Sequence, residues 1–172
     1  AVMERVKPFR PAVAVVSCQA YEDRRLACEE TWIPEVVLRQ GIPVFTVVGD
    51  PELPVPGRFD ASRNLLTLRV EDDYAHLTEK SFALFEWVAA HTNFTHLVKC
   101  DDDTYVLGPR LMRQLRRGLP YVGSPLTFED GTLYGSGSGY ILDRSAIDIL
   151  ATDHLDREEF FEDVAVGRAL SR

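Results

Sequence analysis

The chain has 172 residues, 45% hydrophobic and 27% charged, and 19 Lys+Arg against 27 Asp+Glu leave a formal net charge of −8. That balance belongs to globular chains and excludes collagen-like, low-complexity and disordered classes. The length suits a single domain, read over residues 1–172. The acidity argues against a nucleic-acid or anionic-lipid surface, and no stretch approaches the ~18 apolar residues of a membrane span.

Arg5, Lys7 and Arg10 precede the apolar run Ala12–Val16, a loose mimic of a signal peptide. The run is short and follows Pro11, so residues 12–17 read as a buried first strand. Tyr21 to Thr31 reads as a helix with Glu22 and Asp23 in its first turn, where the dipole favours acids. Pro34 interrupts, and Glu35 to Gln40 forms a short helix stopped by Gly41. Val44–Val48 is a second strand. Asp50 to Arg58, with Pro51, Pro54, Pro56 and Gly57, reads as a loop. Leu65–Val70 is a third strand, His76–Ala90 an amphipathic helix and Thr95–Val98 a fourth strand. The remainder is less regular. A basic helix spans Pro109–Arg117, its Arg110, Arg113, Arg116 and Arg117 read as a solvated face. A short strand follows at Tyr121–Gly123. Gly135–Gly139 reads as a flexible loop suited to act as a lid, running into strand Tyr140–Leu142. Helices at Ser145–Leu150 and Glu158–Leu170 close the sequence.

This order predicts an α/β fold: a Rossmann-like nucleotide-binding half over about residues 10–107, with a mostly parallel sheet, and an irregular half over about 108–172. In such sheets ligands sit beyond the carboxyl ends of the strands, here Ser17–Arg25 and Lys99–Asp103. Cys18, Cys28 and Cys100 form no C-x-x-C pair and read as buried thiols, with a reducing, cytoplasmic setting expected. Trp32 and Trp87 read as core residues.

Asp101, Asp102 and Asp103 stand in a row after an apolar strand. Like charges ~4 Å apart repel by about 1 kcal/mol even in bulk water, so something must offset them. In extended chain Asp101 and Asp103 share a face and Asp102 points away. Two carboxylates on one face form a hard-oxygen site suited to Mg²⁺ or Mn²⁺. The alternatives are a solvated acidic turn, a helix N-cap ahead of Pro109, or the D-x-D-x-[TV] pattern of phosphohydrolases. The last needs Thr or Val where Tyr105 stands.

Five segments in order resemble one family. They are Arg24-Arg25-Leu26-Ala27 through Glu30-Thr31-Trp32; Asp73-Tyr74 with Leu77-Thr78-Glu79-Lys80; Lys99 to Val106; Gly137 to Leu142; and Glu162 to Gly167. The chain resembles the β-1,3-glycosyltransferases of the galactosyltransferase/Fringe type. The resemblance implies a single GT-A-like domain whose second half receives the acceptor. It implies inverting transfer from a UDP-sugar to a glycan or glycoconjugate hydroxyl, with Mn²⁺ or Mg²⁺ at Asp103 and Asp101. Donor contacts fall to Arg24, Arg25, Asp73, Lys80, Asp101, Asp102, Gly137 and Gly139. Lys80 is expected to pair with Asp73 or to support the triplet. The resemblance puts the general base at Asp163, in an apolar neighbourhood of Phe160, Phe161, Val164, Ala165 and Val166. It also raises a Golgi-lumen setting as the alternative compartment. Glu29 and His76 depart from the family pattern. The family's metal-ligating His lies some tens of residues after E-D-V, whereas Arg172 is only nine residues beyond Asp163. A second expectation is therefore a nucleotide-sugar-binding module lacking the last metal ligand.

Overall fold

The structure, a computed structural model, describes residues 8–172; Arg5 and Lys7 of the signal-like start lie outside the described residues. In chain order the elements are β1 (Pro11–Val16), α1 (Glu22–Glu30), α2 (Ile33–Gln40), β2 (Val44–Gly49), β3 (Gly57–Asp60), β4 (Leu65–Leu68) and α3 (Leu77–His91). They continue as β5 (His96–Asp101), α4 (Gly108–Leu115), β6 (Tyr121–Thr127), β7 (Leu133–Asp143), α5 (Arg144–Thr152) and α6 (Glu162–Ser171). Among the described residues no helix is long and apolar enough to cross a membrane.

The strands form one sheet in the order β3-β4-β2-β1-β5-β7-β6. β4, β2, β1 and β5 run parallel, while β3 and β7 are antiparallel to their neighbours. The α/β expectation, with a mostly parallel sheet, is met. β1 and β2 are buried at every residue, because both faces of a central parallel strand are covered and a Val-rich, near-continuous apolar run satisfies both. Ala12, Ala14 and Val16 face a core shared with α3, α5 and α6. Val13 and Val15 face the other layer, against Cys28, Trp32, Val36 and Leu111. Trp32 is core, as read, and Trp87 is partly buried. All three cysteines are free and buried. Gly41 ends α2 in the left-handed region at φ +68°, and its N–H caps the carbonyls of Val36 and Val37.

Three expectations are corrected. The segment read as loop through Arg58 yields an edge strand, β3, because the prolines stop at Pro56 and Gly57 onward pairs with Leu68 to Leu65. α6 begins at Glu162 rather than at residue 158. Most consequential, Gly135–Gly139 is not a flexible lid. It is part of β7, which pairs with β5 on one side and β6 on the other. Gly135 there serves close approach, whereas a Cβ on Gly137 or Gly139 would come no nearer than 3.4 or 3.6 Å to a neighbour. A Cβ on Gly123 would lie 2.8 Å from the Cα of Gly135, and one on Gly167 would lie 2.6 Å from the Cβ of Tyr134. At Gly123 and Gly167 the approach of β7 leaves no room for a side chain.

Candidate active site

The carboxyl ends of β1, β2 and β5 open at one edge of the sheet, and side chains from both flanking layers converge there. β5 extends to Asp101, three residues further than expected. Its alternation sends Lys99 and Asp101 to the α6 side, and the Lys99 ammonium meets Asp101 Oδ1 at 2.7 Å. Asp102 turns away, as alternation predicts, and is nearly buried at 7% exposure. It accepts the Ser17 hydroxyl at 2.7 Å and the Arg24 guanidinium at 3.3 Å. Asp103 is exposed and has no hydrogen-bond partner among the described residues. The offset that three adjacent carboxylates require is thus supplied by Lys99, Ser17 and Arg24.

Arg24 and Arg25 diverge. Arg24 stacks over the Tyr21 ring, 4.3 Å from its centroid, while the Arg25 guanidinium donates to the Cys18 carbonyl. Lys80 does not pair with Asp73 or with the triplet. Its ammonium meets Asp72 at 2.6 Å and the Ser17 carbonyl at 2.9 Å. Asp72 also accepts the backbone N–H groups of Gly49 and Gln19, each at 2.6 Å, so it ties β1, β2 and α3 together at the strand ends. Asp73 faces solvent and pairs with His76, whose hydrogen bond draws the carboxyl below its ordinary range and raises the imidazole.

The Asp163 carboxylate lies at the start of α6. It accepts the Gly137 N–H and the Val164 N–H, each at 3.0 Å. The apolar neighbourhood expected around it takes a different form. Val164, Ala165 and Val166 are core, but Phe160 and Phe161 are 52% and 46% exposed. With Tyr74 they form a chain of edge-to-face rings, centroids 5.9 and 5.3 Å apart. An exposed aromatic ridge therefore runs from Tyr74 to the residues just ahead of Asp163 in the chain. Gly139, one register step from Gly137's neighbours, pairs with Cys100 in the sheet and contributes backbone alone.

The residue that joins these groups went unassigned in the sequence. Lys99 is fully buried, and besides Asp101 its ammonium reaches Glu162 at 3.2 Å and the Gly137 carbonyl at 3.5 Å. Burial disfavours the Lys99 charge, but Glu162 and Asp101 outweigh it and hold the ammonium above its ordinary range. Burial raises Glu162, and burial together with that carboxylate raises the Tyr140 phenol hydrogen-bonded to it. A lone Lys between Val98 and Cys100 was the available signal, since a buried ammonium demands a partner.

Among the described residues no three His, Cys, Asp or Glu side chains converge into a complete metal cage. The strand-tip donors, Asp101 and Asp103, are hard carboxylate oxygens and suit Mg²⁺ or Mn²⁺ where substrate phosphates and water complete the shell.

A family model described as Galactosyltransferase matches residues 23–127. The chain is 23% identical over 191 residues to hydroxyproline O-galactosyltransferase GALT2 of Arabidopsis thaliana, covering 93% of this chain and 28% of that protein. It thus spans little more than a quarter of that relative. Among solved structures it is similar to HddC from Yersinia pseudotuberculosis, at TM-score 0.49 and 11% identity over 90% of this chain and 84% of that one. It is also similar to the glycosyltransferase GlyE of Streptococcus pneumoniae, at TM-score 0.48 and 14% identity over 95% and 43%. With well over half its length inside the family model, from α1 through the acidic triplet to the end of β6, the chain belongs to the galactosyltransferase family.

Proposed function

We propose that the protein transfers a hexose or N-acetylhexosamine from a UDP-sugar to a hydroxyl of a glycan or glycoconjugate, with inversion and as a β-1,3 linkage. The observation that carries this reading is the placing of Asp163 within one peptide of the strand-tip cluster. Gly137 gives its N–H to Asp163 and its carbonyl to Lys99, which holds Asp101. Family membership supports glycosyl transfer; the donor, the linkage and the stereochemistry rest on the motif resemblance.

In this reading the donor diphosphate lies over the ends of β1 and β5, with Arg24 and Arg25 at its flank. Asp101 and Asp103 would hold a divalent ion, which when bound would supply positive charge against the departing diphosphate. Asp163 accepts the proton of the acceptor hydroxyl as that oxygen attacks the anomeric carbon. Its two amide hydrogen bonds fix the carboxylate's orientation. Tyr74, Phe160 and Phe161 offer ring faces to the acceptor. A second reading, a nucleotide-sugar-binding module without turnover, draws on the two-carboxylate donor set, which is sparse for a catalytic metal.

The test is a screen of UDP-sugars with Mn²⁺, reading liberated UDP, beside Asp163→Asn. The expected result is release by the native chain and a fall of about 10²–10⁴-fold in the variant, the usual worth of a general base. UDP binding without release supports the second reading. Equal release by Asp163→Asn removes the base assignment. Phosphate release from a generic phosphoester would replace both readings with a phosphohydrolase.

A further inference from the structure

Lys99 spends its three N–H donors on three acceptors that belong to different parts of the site. Asp101 is at the triplet, Glu162 begins the helix that carries Asp163, and the Gly137 carbonyl belongs to the peptide beside Asp163. Glu162 is equally committed, one oxygen to Lys99 and the other to the Tyr140 hydroxyl. None of the three side chains is exposed enough to meet a substrate: Lys99 is fully buried, Glu162 is 4% exposed, and Tyr140, paired with Lys99 across β5 and β7, is 1% exposed. A buried ion pair of this kind adds little net stability over well-packed apolar residues, because desolvation consumes most of the attraction. What it does supply is a fixed geometry, since an ammonium and a carboxylate in a dry interior have few other arrangements open to them.

We propose that Lys99 and Glu162 form a positioning pair, one that sets the spacing and orientation of the Asp163 carboxylate relative to the carboxylates at the tip of β5. The link is mechanical and has two branches. One runs from Asp101 through Lys99 to Glu162 and the first turn of α6. The other runs from Lys99 through the Gly137 peptide, whose N–H ends on Asp163 Oδ2 at 3.0 Å. Loss of the pair lets α6 and the Gly137 peptide shift against β5 while the donor-side groups Arg24, Asp102 and Ser17 keep their own contacts on the opposite face of the sheet. The proposal rests on the reading of Asp163 as base and of the triplet as donor site.

The experiment compares the native chain with Glu162→Gln and with the double variant Lys99→Met/Glu162→Gln. The double variant removes both fully buried charges together and leaves only the part-exposed Asp101 carboxylate without its ammonium; its fold is checked by circular dichroism. Two readouts are taken. The first is amide hydrogen exchange at Gly137 and over Val164–Gly167, which needs no substrate. Exchange about tenfold faster or more in both variants is expected. The second separates KM for the UDP-sugar from kcat. In Glu162→Gln, kcat is expected to fall about a hundredfold, the scale of a small misplacement of a reacting group, with KM within about threefold. Unchanged exchange, or kcat and donor binding falling together, would overturn the pair's role. If the native chain turns over and the variants match it, the positioning inference fails and the proposed function stands. If the native chain releases no UDP from any donor while exchange still rises, the function reading fails and the mechanical link stands.

Discussion

Asp130, in the turn between β6 and β7, shows how one exposed carboxylate fastens a distant helix. It accepts the Thr132 N–H at 2.9 Å and the Arg168 guanidinium of α6 at 3.1 and 2.6 Å. Arg168 also pairs with Glu159, which puts a second carboxylate on the same guanidinium, and Glu129 precedes Asp130 in the chain. The Thr132 hydroxyl and N–H, then Arg168, hold the Asp130 carboxyl down to about 2 from its usual 3.8. A carboxyl depressed in the folded chain stays charged there while the unfolded chain, near 3.9, already binds a proton. Its contribution to stability is therefore whole above about pH 4 and is lost as pH falls toward 2. In Asp130→Asn the melting temperature should decline less steeply than in the native chain between pH 4 and 2, and the two profiles should run parallel above pH 5. Scanning calorimetry across that range checks it; identical acid limbs would show that the turn contributes nothing.

At the scale of elements, the seam between α6 and β7 decides where Asp163 sits. Gly167 makes it possible: a Cβ there would come within 2.6 Å of Tyr134 Cβ, 2.8 Å of the Leu133 carbonyl and 3.1 Å of Tyr134 Cα. Most of these are backbone or backbone-proximal atoms, which do not swing aside. Helix propensity favours Ala over Gly by up to about 1 kcal/mol, while overpacking costs about 1–3 kcal/mol, so the steric cost wins. Gly167→Ala should lower the melting temperature by a few degrees and cost turnover as well, because the whole helix must back away from β7. A melting temperature at or above the native value would mean that the seam yields.

The same seam marks what the sequence could and could not convey. β1 and β2 were legible because burial on both faces demands a near-continuous apolar run. The helix α3 was legible because Leu77, Leu84, Phe85 and Val88 repeat at helical spacing. β7 was legible only at its apolar end, Tyr140–Leu142; the stretch before it was not, because Gly-Ser alternation has no apolar period, and a glycine demanded by a close neighbour looks the same as one demanded by a turn. Of the candidate site, the triplet and Asp163 stood out as local motifs. The partners did not: Asp72 for Lys80 and Glu162 for Lys99 lie 8 and 63 residues away, and only the sheet order brings the second pair together.

For the whole molecule, the excess of acids sets the terms on which a nucleotide diphosphate binds. A chain of net charge −8 repels an anionic ligand at long range. The strand-end edge holds four cations near it: Lys80 and Lys99 are already matched to Asp72, Asp101 and Glu162, Arg24 to Asp102, and Arg25, on the Cys18 carbonyl, has no carboxylate partner among the described residues. One guanidinium does not offset the surrounding acids, so most of the net attraction must come from a cation added at Asp101 and Asp103. A ligand at a hundred times its dissociation constant adds about 2.7 kcal/mol to the folded state. For a domain of this size each kcal/mol moves the melting temperature by about 2–4 °C, so UDP with Mn²⁺ should raise it by about 5–11 °C. UDP with a chelator should raise it little. Asp103→Asn should remove the metal-dependent part while leaving the unliganded melting temperature close to native, because Asp103 is exposed and has no hydrogen-bond partner among the described residues. A full shift that survives both chelator and Asp103→Asn would mean the diphosphate is held by the arginines alone, and the carboxylates at the tip of β5 would lose their place in the chemistry.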